Sequence, residues 1–218
     1  RTERSRSAPI VVPLIAVVLT LICGTLLLSL IGKSPAAVVH SFFIQPLSSR
    51  NGIGEILLKA GPLILIAQGL AIGYRANVWN IGAEGQLTVG AIAGGALAIY
   101  FETSNSLFLL PAMMIAGAAA GAAWAGIAAF LRVRFSASEI LTSLMLTYVA
   151  ALLLSYLVHD PWRDPQGFNF PQSKMFTEGA LLPNMVAETR LNVGFLLALA
   201  AVALGWIFMR KSLVGYQM

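Results

Sequence analysis

Six long apolar runs, nearly empty of charge, set the terms on which this chain can fold. They cover roughly Ile10–Ile31, Ile56–Tyr74, Glu84–Tyr100, Leu107–Leu131, Glu139–Val158 and Leu191–Met209. A bilayer core about 30 Å thick needs about 20 consecutive apolar residues to carry a helix across. In lipid each backbone group must be satisfied within its own segment, so helices are the natural spanning element. Of the 218 residues, 58% are hydrophobic and only 11% charged, with mean hydropathy +0.81. Soluble domains carry about 25% charged residues, and a water-soluble fold has too little polar surface here to cover its apolar surface. The pattern predicts an all-α, polytopic transmembrane bundle of about six spans, forming a single membrane domain over residues 1–218.

The first run follows Arg1, Arg4 and Arg6. It is longer than a signal-peptide core and lacks a small-residue cleavage site after it, so it reads as an uncleaved span. Ala36–Ile44 is apolar but too short to cross, which suits an interfacial or re-entrant helix. Counting Lys and Arg at the span ends gives the orientation. With the N-terminus in the cytoplasm, Arg1, Arg4, Arg6, Arg75, Arg132, Arg134, Arg210 and Lys211 lie inside, tight against helix ends. Lys33, Arg50, Lys59, Arg163, Lys174 and Arg190 then lie outside, several in a longer loop shared with Asp160, Asp164, Glu178 and Glu188. This placement explains the net charge of +5 without a nucleic-acid surface, which would need the cations in one patch. Residues 160–190 hold four of the ten prolines, so no long helix fits there; an ordered cap and a mobile loop both remain open.

Packing signals come next. Gly90 and Gly94 form one GxxxG pair, and Gly117 and Gly121 another, extended by Ala125 and Ala129. Small residues at this spacing let helix backbones approach closely in lipid. Gly61-Pro62 predicts a kink in the second span, and Gln68 in the same span suits an interhelical hydrogen bond. Ser136-Ala-Ser-Glu139 fits a capping box, with Ser136 as the cap. Thr142, Ser143 and Thr147 suit bonds to backbone carbonyls or neighbouring helices. Cys23 reads as a small packing residue.

Catalytic chemistry finds no foothold. Gly32-Lys33-Ser34 ends like a P-loop, but Leu27 occupies the position of the first required glycine. His40 and His159 have neither an HExxH context nor cysteine partners, so no metal site is expected. No G-x-S-x-G is present. Neither an enzyme nor a resident cofactor is expected.

The most informative stretch lies between the second and third runs, residues 75–86. It gathers Asn77, Trp79, Asn80, Glu84, Gln86 and Thr88 beside Gly82 and Gly85. Polar groups near membrane depth are costly and usually face a cavity, a pathway or a partner. Glycines there permit a broken helix whose backbone points into that cavity. The alternative is an ordinary turn in which Asn80 caps the next helix.

At Asn80-Ile-Gly-Ala-Glu-Gly-Gln86 the chain resembles the permease subunits of bacterial ABC importers for simple sugars and nucleosides, within the ribose and branched-chain amino acid permease superfamily. The resemblance extends through Gly61-Pro-Leu63, Gly69-Leu-Ala71 and residues 137–148. Pro161-Trp-Arg-Asp-Pro165 with residues 167–173 is similar to the nucleoside branch, and the match ends at residues 215–218. It implies a permease of the bacterial inner (plasma) membrane. Its partners would be a second permease chain, cytoplasmic ATPase subunits that hydrolyse the ATP, an extracytoplasmic substrate-binding protein and membrane lipid, with no nucleic acid. It also implies a substrate path at Asn77, Trp79, Asn80, Gly82, Glu84, Gly85 and Gln86, and the start of an ATPase-facing surface at Arg210, Lys211, Gly215, Tyr216 and Gln217. Family members continue past this last segment, so the chain is expected to be an N-terminal portion of a longer permease. An ion-coupled transporter and a non-conducting assembly subunit are the alternatives.

Overall fold

The computed structural model describes residues 8–103 and 106–217. Arg1, Arg4, Arg6 and Met218, used in the readings above, lie outside the described residues. The fold is a helical bundle. In chain order the α-helices are α1 Ala8–Leu30, α2 Pro35–Val39, α3 Gln45–Ser48, α4 Arg50–Arg75, α5 Ala83–Tyr100, α6 Leu109–Phe135, α7 Glu139–His159, α8 Gly194–Lys211 and α9 Leu213–Gln217. A π-helical turn, His40–Ile44, joins α2 to α3. All six expected spans are helices. Five described helices, α1, α4, α6, α7 and α8, are long and apolar enough to cross a membrane. The third expected span, α5, is not among them. It opens on Glu84 and Gln86 and carries Gly85, Gly90, Gly94 and Gly95, which lower its apolar content.

The described residues form two compact units. The first runs to Leu57 and includes Glu188–Arg190. Its helix α1 has large apolar side chains open on every face, from Ile10 to Leu30, as a lipid-facing helix requires. Ser34 starts α2: its hydroxyl accepts from Ala37 N at 3.4 Å, and Pro35 occupies the first helical position, where a missing N–H costs nothing. The short apolar segment is therefore helical, and longer than Ala36–Ile44. Residues 188–190 hold the start of α4. Arg190 Nε lies 2.9 Å from Glu55 Oε1, and a Cβ on Gly54 would lie 3.1 Å from Thr189.

The second unit, Leu58–Ala187 with the chain from Leu191 on, is built around α5. Helices α5 and α6 run antiparallel, and the two GxxxG pairs meet. A Cβ on Gly90 would lie 2.9 Å from the Gly117 carbonyl oxygen, one on Gly94 3.2 Å from that of Met113, and one on Gly121 3.1 Å from that of Gln86. Backbone touches backbone at every fourth residue, which is what small side chains at that spacing allow. Helix α7 packs parallel to α5: Gly82 meets Ser143 and Gly85 meets Thr147. Gly61 of α4 approaches Phe195 of α8, and Gln68 packs its amide against Gly205. Gln68 thus fills the space of a missing side chain instead of making the expected interhelical hydrogen bond. Helix α4 continues through Pro62.

Ser136 does not cap α7. It takes a left-handed conformation (φ 53°) at the end of α6, where its N–H bonds to the Arg132 carbonyl at 2.9 Å. Ser138 is the N-cap, its hydroxyl accepting from Leu141 N at 3.5 Å. Glu139 turns away from the backbone and pairs with Arg132. A left-handed residue cannot serve as N-cap, because that position needs an extended backbone, and the three-residue turn leaves Ser138 as the one that has it.

The proline-rich segment is a structured cap. Ala180 packs with Ala98 and Leu109 in the main buried cluster, and the Phe176 ring lies 3.3 Å from where a Cβ on Gly95 would stand. Lys174 Nζ is 3.2 Å from Glu102 Oε2. Isolated bridges at Arg163–Ser173 and Asn184–Asn192 fold the segment on itself.

Candidate functional site

The polar stretch begins where α4 ends. Asn77 is left-handed (φ 56°); its N–H bonds to Tyr74 O at 3.1 Å and that of Val78 to Gly73 O at 2.8 Å. This is a Schellman termination with asparagine in the left-handed position. Asn77 is exposed, and its side-chain oxygen accepts from Trp79 Nε1 at 3.4 Å. The Trp79 ring rests on Tyr74 at 5.3 Å between centroids.

Asn80 then closes the turn. Its Oδ1 accepts from Gly82 N at 2.8 Å, and its Nδ2 donates to Gln86 Oε1 at 3.3 Å. The helix itself starts from Gly82 with no side-chain cap, so Asn80 stabilises the turn before α5 instead of capping it. Ser143 ties the segment to α7: it is buried at 3% exposure, accepts from Ile81 N at 3.2 Å and donates to Ile140 O at 3.3 Å. Thr142 and Thr147 donate to the carbonyls of Ser138 and Ser143 at 2.9 and 3.1 Å. These hydroxyls serve the backbone, as their spacing suggested.

The segment is recessed. At the far end α5 and α6 finish level, at Tyr100 and Leu109. At the near end Gln86 stands opposite Gly121, so the start of α5 at Ala83 falls near Trp124, and α6 continues to Phe135. At 1.5 Å per residue, α6 extends about 16 Å beyond the start of α5. The first amides of α5, unpaired within the helix and at its positive dipole end, therefore lie inside the length of the bundle.

Two clefts meet at this point. One, of about 320 Å³, is lined by Leu65, Ile66, Gly69 and Leu70 of α4, by Asn80, Ala83, Gln86 and Leu87, and by small residues of α6 from Gly117 to Ala122. The other, of about 360 Å³, is lined by Val78, Trp79, Asn80 and Gln86, by α6 from Ala125 to Val133, and by Glu139 and Ser143. Both volumes fall at the small end of the range typical of ligand sites. Trp79, Asn80 and Gln86 thus line clefts; Gly82 and Gly85 are buried seats for α7; Asn77 and Glu84 are exposed and line neither cleft. The second cleft adds Arg132, Glu139 and Ser143, which the sequence reading did not place there. Arg132 and Glu139 are the charged residues of its wall, and they neutralise each other. The signal was present: an arginine and a glutamate on either side of a three-residue turn.

The terminal group assembles differently. Arg210 lies over the Trp206 ring at 5.1 Å. Ser212 breaks α8 and starts α9, accepting from Gly215 N at 2.9 Å. Gly215 is buried, with room for a Cβ only 2.5 Å from Phe208 O, while Arg210, Lys211, Tyr216 and Gln217 are exposed.

The family described as branched-chain amino acid transport system / permease component matches residues 52–218. Over 215 residues the chain is 37% identical to the glucose ABC transporter permease protein TsgB13 of Haloferax volcanii, covering 94% of this chain and 56% of that protein. It is 29% identical to the guanosine ABC transporter permease protein NupP of Bacillus subtilis, over 98% of this chain and 61% of that one. It is 27% identical to the nucleoside ABC transporter permease protein NupB of Lactococcus lactis, over 98% and 60%. The chain therefore spans under two thirds of the length of these curated relatives. No solved structure matches it. With the family covering most of the sequence, including the whole recessed segment and both clefts, this chain belongs to the branched-chain amino acid transport system permease components.

Proposed function

We propose that the chain, as one membrane domain over residues 1–218 of a longer permease, is part of an ATP-driven importer that moves nucleosides or simple sugars across the inner (plasma) membrane. The observation that carries this reading is the Asn80–Gln86 amide pair, held at the recessed start of α5 where two clefts meet. Uncharged donors and acceptors inside a bundle can exchange hydrogen bonds with hydroxyls and ring nitrogens without stranding a charge in lipid. The relatives' names, glucose, nucleoside and guanosine, support that substrate class.

A second permease chain, ATPase subunits that hydrolyse ATP and an extracytoplasmic binding protein complete the assembly. The exposed Arg210, Lys211, Tyr216 and Gln217, with the Gly215 elbow beneath them, form the start of the ATPase-facing surface. The C-terminal ends of α4, α6 and α8, with Arg75, Arg132, Arg134, Arg210 and Lys211, face the cytoplasm by the positive-inside rule, and the same rule puts the N-terminus there. Asn80 and Gln86 line the path, with Trp79 beside them. Gly82 and Gly85 shape it by seating α5 on α7, and Asn77 and Glu84 flank it.

The test is uptake of labelled guanosine and glucose by the assembled full-length complex. Asn80→Ala and Gln86→Ala are expected to lower uptake about tenfold or more, the effect of losing one or two hydrogen bonds to solute. Wild-type uptake in both variants would remove these residues from the path.

A further inference from the structure

The two clefts lie in series along α6. The first is walled by residues 117–122 and the second by residues 125–133, toward the basic end of the helix. Asn80 and Gln86 are the residues common to both walls. Between them runs a single neutral hydrogen bond of 3.3 Å, just longer than the usual range.

We propose that this Asn80–Gln86 bond is a gate between two solute chambers, opened when the solute takes over the hydrogen bonds that the two amides make to each other. The proposal rests on the permease reading above and adds a mechanism to it. Asn80 is the fixed post, because Gly82 N already holds its Oδ1 at 2.8 Å. Gln86 is the moving part. It projects from the first turns of α5 on a flexible three-carbon stem, and its Oε1 is held only by the Asn80 Nδ2. A solute carrying hydroxyl or amide groups replaces the broken bond and passes at little cost. One without them leaves the Asn80 Nδ2 donor and the Gln86 Oε1 acceptor unpaired, and passes more slowly. Beyond the gate, Trp79 supplies an aromatic wall and the Arg132–Glu139 pair a polar one with no net charge. The second chamber therefore suits a neutral polar ring and gives a charged solute no counter-ion.

Cysteine accessibility tests this in the assembled full-length complex. Cys23 is the only cysteine among residues 1–218; Cys23→Ser, together with replacement of any cysteine elsewhere in the complex, gives a clean background. Ala118→Cys reports the first chamber and Ala129→Cys the second. A membrane-impermeant maleimide is added, without ATP, to inverted vesicles that present the basic helix ends. Ala129→Cys is expected to react about tenfold faster than Ala118→Cys. Adding Gln86→Ala should raise the Ala118→Cys rate about fivefold, the scale of one hydrogen bond, and leave Ala129→Cys unchanged. Gln86→Glu, which keeps the acceptor and the bulk, should keep Ala118→Cys protected and shows that the fold survives change at this position. The gate is overturned if Ala118→Cys reacts as fast as Ala129→Cys with Gln86 in place, or ignores Gln86→Ala. Labelling needs no transport, so uptake is read separately, in right-side-out vesicles of the same complex loaded with ATP and supplied with the binding protein. The expected labelling without uptake of any solute would overturn the permease reading and leave the partition standing. Uptake with unpartitioned labelling would overturn the gate alone.

Discussion

Ser143 gives its hydroxyl to two backbones at once, accepting from Ile81 N and donating to Ile140 O. At 3% exposure its side chain is screened from bulk solvent. Ser143→Ala should therefore strand the Ile81 amide and cost about 1–3 kcal/mol, seen as a lower unfolding midpoint of the detergent-solubilised complex. An unchanged midpoint would show that the turn finds another acceptor. Asn80 separates two roles within one side chain. Asn80→Asp keeps the oxygen that Gly82 N needs but replaces the neutral donor that faces Gln86 with a charged acceptor. Stability should change by less than about 1 kcal/mol, the worth of one neutral hydrogen bond, while uptake falls. Equal loss of both would mean that Asn80 matters only to the turn. The Arg132–Glu139 pair is worth less than its position suggests. Its side chains are 41% and 19% exposed, so Arg132→Gln should cost no more than about 1 kcal/mol.

Among the elements, the α5–α6 pair carries the plainest packing logic. Gly90 and Gly117 face each other with carbonyl oxygens where a methyl would go, at 2.9 and 3.1 Å. Gly117→Ala should force the helices apart and cost about 1–3 kcal/mol. Gly126, on the same helix, has nothing within 4 Å. Gly126→Ala should be neutral or stabilise by about 0.5–1 kcal/mol through helix propensity. Thermal unfolding of the two variants side by side checks both signs; equal effects would remove the close approach as the cause. The register that brings these glycines together also sets the depth of the site. With Gln86 locked opposite Gly121, α5 has to begin well inside the end of α6.

At the scale of the whole molecule, the proposed orientation makes a labelling prediction. Val133 and Met175 are 86% and 90% exposed and belong to opposite ends of the second unit. In the same cysteine-free background, Val133→Cys should label from the cytoplasmic side alone and Met175→Cys from the outside alone. Labelling of both from one side would reject the topology. Much of the architecture was legible without coordinates, because in lipid the length of an apolar run and the position of small residues act locally: all six runs are helices, and both GxxxG pairs make the contact their spacing implies. The polar stretch between α4 and α5 was legible as unusual for the same reason, since amides and an acid beside long apolar runs demand an explanation from their immediate surroundings. Which of them share a cleft was not legible. That Asn80 and Gln86 meet, that Glu84 points away and that Arg132 and Glu139 close the second wall depend on the rotation of α5 against α6 and α7, and this is fixed by backbone contacts between residues far apart in the chain. Sequence alone determined the bundle and the segment where it breaks; the tertiary packing decided which polar groups face each other there, because only a fixed helix register turns a list of side chains into a site.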